Sequence, residues 1–111
     1  MNNAVTAAEM TEYTAEELAL FAAAVKTAAA KPETAKYHGE LAFIGSIKAE
    51  WFPRSDRAAF NAKLVAALQA GLLKMKRADL VGAMDAKFVA SSEVVYDSGW
   101  GTAEFHFVVV A

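Results

Sequence analysis

Residues 87–111 alternate in a way that leaves few folds open to this chain. Side chains two apart in a strand share a face. Phe88, Ala90, Ser92, Val94 and Tyr96 make one such set, and Ala103, Phe105, Phe107, Val109 and Ala111 make another. Between them lies the loop Ser98-Gly99-Trp100-Gly101. The pattern predicts an antiparallel hairpin with Tyr96 opposite Ala103, Val94 opposite Phe105, Ser92 opposite Phe107, Ala90 opposite Val109 and Phe88 opposite Ala111. A slip of one residue would turn Phe105 and Phe107 away from Val94 and Tyr96, so the register is specified by the apolar face. The opposite face pairs Glu93 with His106 and Val95 with Glu104, a mixed, solvent-facing side. A two-stranded hairpin is marginal alone, so further strands or a helix must cover it.

Upstream, Thr14 is placed to cap a helix, with Glu17 completing a capping box. Leu18, Phe21, Ala22 and Val25 then recur at helical spacing until Pro32 stops the run. Residues 1–12 read as a flexible arm ahead of a single domain over 13–111. Residues 36–51 fit two templates. As a strand they place Tyr37, Leu41, Phe43, Ile47, Ala49 and Trp51 on one face, which makes Trp51 a core residue. As a helix they place Lys48 within an apolar stripe. The strand is the preferred reading, with Gly39 and Gly45 marking a bend or bulge.

Ser55 is the expected cap of the next helix, whose stripe runs through Phe60, Leu64, Ala67, Leu68, Gly71, Leu72 and Met75. Lys74, Lys76 and Arg77 then fall at its C-terminal end, where cations complement the helix dipole. Asp79 is placed to cap a second short helix containing Leu80, Val81, Ala83 and Met84, unless one bent helix continues through. The expected class is therefore α+β: an N-terminal helix, a central strand, a long or broken helix and a C-terminal hairpin in an antiparallel sheet.

Composition limits function more than it identifies it. The chain has 111 residues, 56% of them hydrophobic, and a formal net charge of −2. That suffices for one domain core and gives no overall attraction to nucleic acid or an anionic membrane. Cysteine is absent, which removes thiolate chemistry and disulfides. The first residues do not resemble a secretory signal, and no apolar run is long enough for a membrane-spanning helix. A cytoplasmic protein is expected.

No cofactor motif is present, and no catalytic residue or metal site is assigned. His106 oriented by Glu93 has the form of a general base, yet no nucleophile or second acid accompanies it. His38 with His106, and Glu40 or Glu93, would offer zinc ligands without a recognisable spacing. The surface clue is Trp100, set between two glycines. Packing over an end of the small core is the preferred reading. A partner contact is the alternative, with Tyr96, Asp97 and Glu104 beside it as further candidates for that contact. These features point to a small regulator or inhibitor that binds a protein and occludes its surface. Lys74, Lys76 and Arg77 support an alternative, a winged-helix-like nucleic-acid-binding protein. A homo-oligomeric or phage-like assembly component is the third reading.

Overall fold

The computed structural model describes residues 4–10, 12–78 and 86–110. Its elements follow in chain order as β1 (Val5–Thr6), α1 (Ala7–Met10), α2 (Ala15–Ala30), β2 (Lys36–Tyr37), β3 (Leu41–Phe43), α3 (Ile44–Trp51), α4 (Arg57–Gln69), β4 (Met75–Lys76), α5 (Ala86–Ser92), β5 (Val94–Asp97), β6 (Thr102–Phe105) and β7 (Phe107–Val109). The class is α+β. Its radius of gyration of 13.0 Å is that of a single packed domain of this length.

Two sheets share one strand path. In the first, ordered β1-β5-β6, β5 and β6 form the hairpin, with Val94 opposite Phe105 and Tyr96 opposite Ala103 as the alternation predicts. β1 joins β5 in parallel, with Val5 beside Tyr96. Val5 is buried within the main core, so residues expected to form an arm outside the domain contribute to its interior. In the second sheet, ordered β2-β3-β7-β4, β7 lies antiparallel between β3 and β4.

The chain passes from one sheet to the other at His106. Its N–H donates to the Lys76 carbonyl at 2.8 Å, and its carbonyl accepts from the Ile44 N–H at 3.0 Å. This corner corrects the expected continuous strand. Phe105 packs on the main core, whereas Phe107 enters a second cluster with Phe43, Ala78 and Val89. In the second sheet, Ala42 and Val108 face the main core with α2 and α4, and Phe43 and Phe107 face the smaller cluster.

The hairpin is also shorter than expected. Residues 86–92 form α5 rather than a strand, so Ser92 and Ala90 do not oppose Phe107 and Val109, and the expected pairing of Phe88 with Ala111 falls outside the described residues. Val89 and Ser92, three apart, share the buried side of this helix. Ser92 Oγ accepts the Gly45 N–H at 2.9 Å. That amide lies in the first turn of α3, whose N-cap position, Phe43, supplies no side-chain acceptor. A helix start leaves its first N–H groups without intrahelical partners. Here His106 satisfies one through its carbonyl, and Ser92 satisfies the next through its hydroxyl.

Residues 36–51 combine both templates. A tight β2–β3 hairpin turns through His38 and Gly39, both at positive φ, before α3 begins at Ile44. The helix carries Trp51 to the rim at 38% exposure, rather than into the core, with its Nε1–H donating to Thr34 Oγ1 at 2.9 Å. α2 begins at Thr14, whose hydroxyl accepts the Glu17 N–H at 3.1 Å. α4 begins at Asp56 rather than Ser55, its carboxylate accepting the Ala59 N–H at 3.0 Å. Gly71, at φ +77°, follows the end of α4, and Met75 has passed into β4. The expected second helix over residues 79–84 lies outside the described residues.

Candidate functional site

The β5–β6 turn is built by short-range hydrogen bonds. Gly99 adopts φ +87° at the first central position, the pattern of a type II′ hairpin turn. Ser98 donates its N–H to the Gly101 carbonyl at 3.0 Å, and its hydroxyl donates to the same oxygen at 3.1 Å. Asp97 Oδ1 accepts the Gly99 N–H at 2.9 Å, closing an Asx-turn. Ser98 Oγ also accepts the Trp100 N–H at 3.3 Å. The backbone that carries Trp100 is thus held on both sides, while the indole is 98% exposed.

The four hairpin candidates separate by role. Tyr96 is half-buried and lines a groove of about 440 Å³ together with Gln69, Trp100, Ala103 and Phe105. Asp97 shapes the turn through its bond to Gly99. Glu104 alternates to the opposite face of β6, where it lies 3.9 Å from Arg77. Trp100 is therefore the exposed group, Tyr96 a wall beside it, and the two acids support the hairpin from within and from its far face.

The Glu93–His106 pairing also changes character. Glu93, Glu104 and His106 place potential ligand atoms within 4.8 Å of one another. His106, however, is only 5% exposed, so it is not a solvent-facing member of a cross-strand pair. Its Nδ1 accepts the buried Ala78 N–H at 3.1 Å. An accepting Nδ1 puts the ring proton of neutral imidazole on Nε2. Burial lowers the His106 pKa below its ordinary value, and Arg77 adds to that, while Glu93 and Glu104 oppose it.

This tautomer bears directly on metal binding. A histidine ligand coordinates through a nitrogen lone pair, and its other nitrogen usually donates to a second-shell acceptor. At His106, coordination through Nε2 would require moving its proton to Nδ1, which faces a donor. Coordination through Nδ1 would displace the same backbone bond. The donor set is present, but its hydrogen bonding suits an architectural imidazole rather than a divalent cation. His38 and Glu40 stand apart on the exposed β2–β3 turn, with His38 packed edge-on to Tyr37 at 4.1 Å between ring centroids.

Lys74, Lys76 and Arg77 are exposed but do not end a helix. Lys76 belongs to β4, flanked by the other two, and Arg77 faces Glu104. The dipole argument for their clustering therefore does not apply, and the nearest helix, α4, ends at Gln69. Sequence reasoning missed the Ser92–Gly45 cap and the His106–Ala78 bond because both join positions remote along the chain. It also favoured packing for Trp100, whose exposure depends on the direction the turn takes.

No helix among the described residues is long and apolar enough to cross a membrane. Comparison with protein-family models, curated proteins and solved structures returned no match.

Proposed function

We propose that this protein is a small protein-binding regulator or inhibitor that acts by covering a surface on a larger protein, with Trp100 as its anchor. One observation supports the reading above others: an indole exposed at 98% on a turn tied by hydrogen bonds. Association normally costs the ordering of loops and side chains at the contact. A turn already fixed reduces that cost, and tryptophan supplies large contact area with few rotatable bonds. Burial of Trp100 in a partner pocket would supply affinity, and the surrounding surface would exclude competing ligands. We place the chain in the cytoplasm, where, lacking cysteine, it depends on no disulfide that a reducing compartment would break.

The test is affinity capture from the source cells with wild type, Trp100→Ala and Leu20→Ala. Leu20 is exposed on α2 and serves as a control outside the hairpin. A protein retained by wild type and Leu20→Ala but lost with Trp100→Ala is the expected partner. Titration with that purified partner should show a loss of about 30-fold or more, the scale of an interface hot spot. Equal affinity of Trp100→Ala for every captured partner would reject the anchor.

A further inference from the structure

The outer face of α2 is too small in side-chain bulk to fill the space beside it. Leu18, Ala22, Val25 and Ala29 point into the core, while Ala23, Ala24 and Thr27 stay exposed. Trp51 at the end of α3, and Phe52 after it, form a facing wall. Alanines on one side and large rings on the other leave an apolar groove of about 420 Å³, lined also by Ala28 and Lys31. Small-molecule sites run from about 300 to 1,000 Å³. No residue of the β5–β6 hairpin lines this groove, so it is a separate feature from Trp100.

Both aromatic walls are fixed in place. Trp51 Nε1–H donates to Thr34 Oγ1 at 2.9 Å, and that buried hydroxyl donates to the Ala28 carbonyl at 2.6 Å. Phe52 packs on Phe21 and Phe60, with ring centroids 5.9 and 5.2 Å away. These bonds also decide what the groove can recognise. The indole donor is occupied, and Thr27 Oγ1 donates to the Ala23 carbonyl at 3.0 Å. The Lys31 ammonium, by contrast, has no hydrogen bond or ion pair to any of the described residues. Lys36 Nζ adds a second positive charge at the same corner, donating to the Lys31 and Thr34 carbonyls. Two ammonium groups outweigh the roughly half negative charge at the C-terminal end of α2.

We propose that this groove binds an apolar carboxylate: a small aliphatic or aromatic body against Trp51 and Phe52, with one carboxylate on Lys31. Lys31 lies seven residues beyond Ala24, about 10 Å along the helix, which sets the charge at one end of the apolar surface. One available cationic donor beside apolar walls complements one anionic head on an apolar body. A peptide would bring backbone N–H and C=O groups that these walls cannot satisfy. An amine would meet like charge at Lys31 and Lys36. An exposed ion pair is weak by itself, so the rings supply most of the affinity and Lys31 selects the head group.

Octanoate is the probe, and 1-octanol is its uncharged control of equal chain length. Each is titrated from about 10 μM to about 3 mM into the full chain, following backbone amide and indole N–H shifts by NMR. Octanoate should shift Ala23, Ala24, Thr27 and the Trp51 indole saturably, with Kd below about 1 mM, and leave Trp100 unmoved. 1-Octanol should bind about threefold or more weakly, within the range of one exposed ion pair. Lys31→Glu should weaken octanoate by about fivefold or more, because repulsion replaces attraction, and leave 1-octanol unchanged. Ala24→Phe, which fills the groove from an exposed position, should abolish binding of both. Circular dichroism of each variant should match wild type. Absence of a saturable shift, shifts centred on Trp100, or equal affinity for 1-octanol would overturn the site on wild type alone. Undiminished octanoate affinity in either folded variant would overturn it as well.

Discussion

His106 uses its backbone and its ring in one structural task. Its amide and carbonyl tie it to Lys76 and Ile44 where the chain changes sheets, and Nδ1 accepts the Ala78 N–H. His106→Ala should destabilise the protein by about 1–3 kcal/mol in chemical denaturation, the cost of leaving a buried donor unmatched. The pH dependence follows from the pKa direction. Burial holds the folded-state value below that of the unfolded chain, despite the opposing Glu93 and Glu104. The unfolded chain therefore binds the proton first. The contribution of neutral His106 is complete above the unfolded value of about 6.5 and is lost as pH falls from there through the folded value. His106→Asn, whose Oδ1 can take the place of Nδ1, should retain more stability at neutral pH than His106→Ala. It should also flatten the acid-side slope measured by denaturation at stepped pH. An unchanged slope would assign the acid sensitivity to other groups.

At the scale of elements, the helix ends offer the clearest comparison. Asp56→Ala should cost about 0.5–2 kcal/mol by removing the α4 cap. Ser55→Ala should stay within about 0.5 kcal/mol, as at an ordinary exposed site. Thermal or urea denaturation of the pair distinguishes the two neighbouring caps. Gly45→Ala probes the contact between α3 and α5. A Cβ there would stand 2.8 Å from the Ser91 carbonyl oxygen and 2.9 Å from its carbon, both backbone atoms. The expected loss is about 1–3 kcal/mol from overpacking, read in the same denaturation experiment. The register of β5 and β6 was legible in the sequence because alternation of Val94, Tyr96, Ala103 and Phe105 reports the local pleat directly. The identity of residues 86–92 was not. Phe88, Ala90 and Ser92 satisfy strand alternation, while Val89 and Ser92 satisfy helical spacing, and the long-range bond from Gly45 to Ser92 lies on the helical side of that choice. Residues 36–51 were divided for a similar reason: a hairpin and a helix meet within one apolar run. The α4 end was overextended because Leu72 and Met75 continue the helical period beyond Gly71, although they belong to the following chain.

The whole molecule separates what holds it together from what it offers outward. Phe60 is buried between Phe21 and Phe52, with ring centroids 5.6 and 5.2 Å away, at the centre of the α2–α4 packing. Phe60→Ala should cost about 3–5 kcal/mol. Phe21→Ala should cost less, since Phe21 is only partly buried, and Trp100→Ala should leave stability within about 0.5 kcal/mol. Denaturant midpoints of the three variants rank these contributions. The aromatic cores were readable from residue type and spacing, but the direction of Trp100 was set by the three-dimensional turn. That direction is the premise of the functional account, and the wild-type protein carries its own control. The Trp51 indole N–H is bonded to Thr34, whereas the Trp100 indole is 98% exposed. Solvent exchange of the two indole N–H signals by NMR, at low micromolar concentration and assigned with Trp100→Ala, compares them in one sample. Rapid exchange at Trp100, close to that of free indole, and clear protection at Trp51 are expected. Equal or greater protection at Trp100 would show the indole folded against the domain and contradict its role as an exposed anchor.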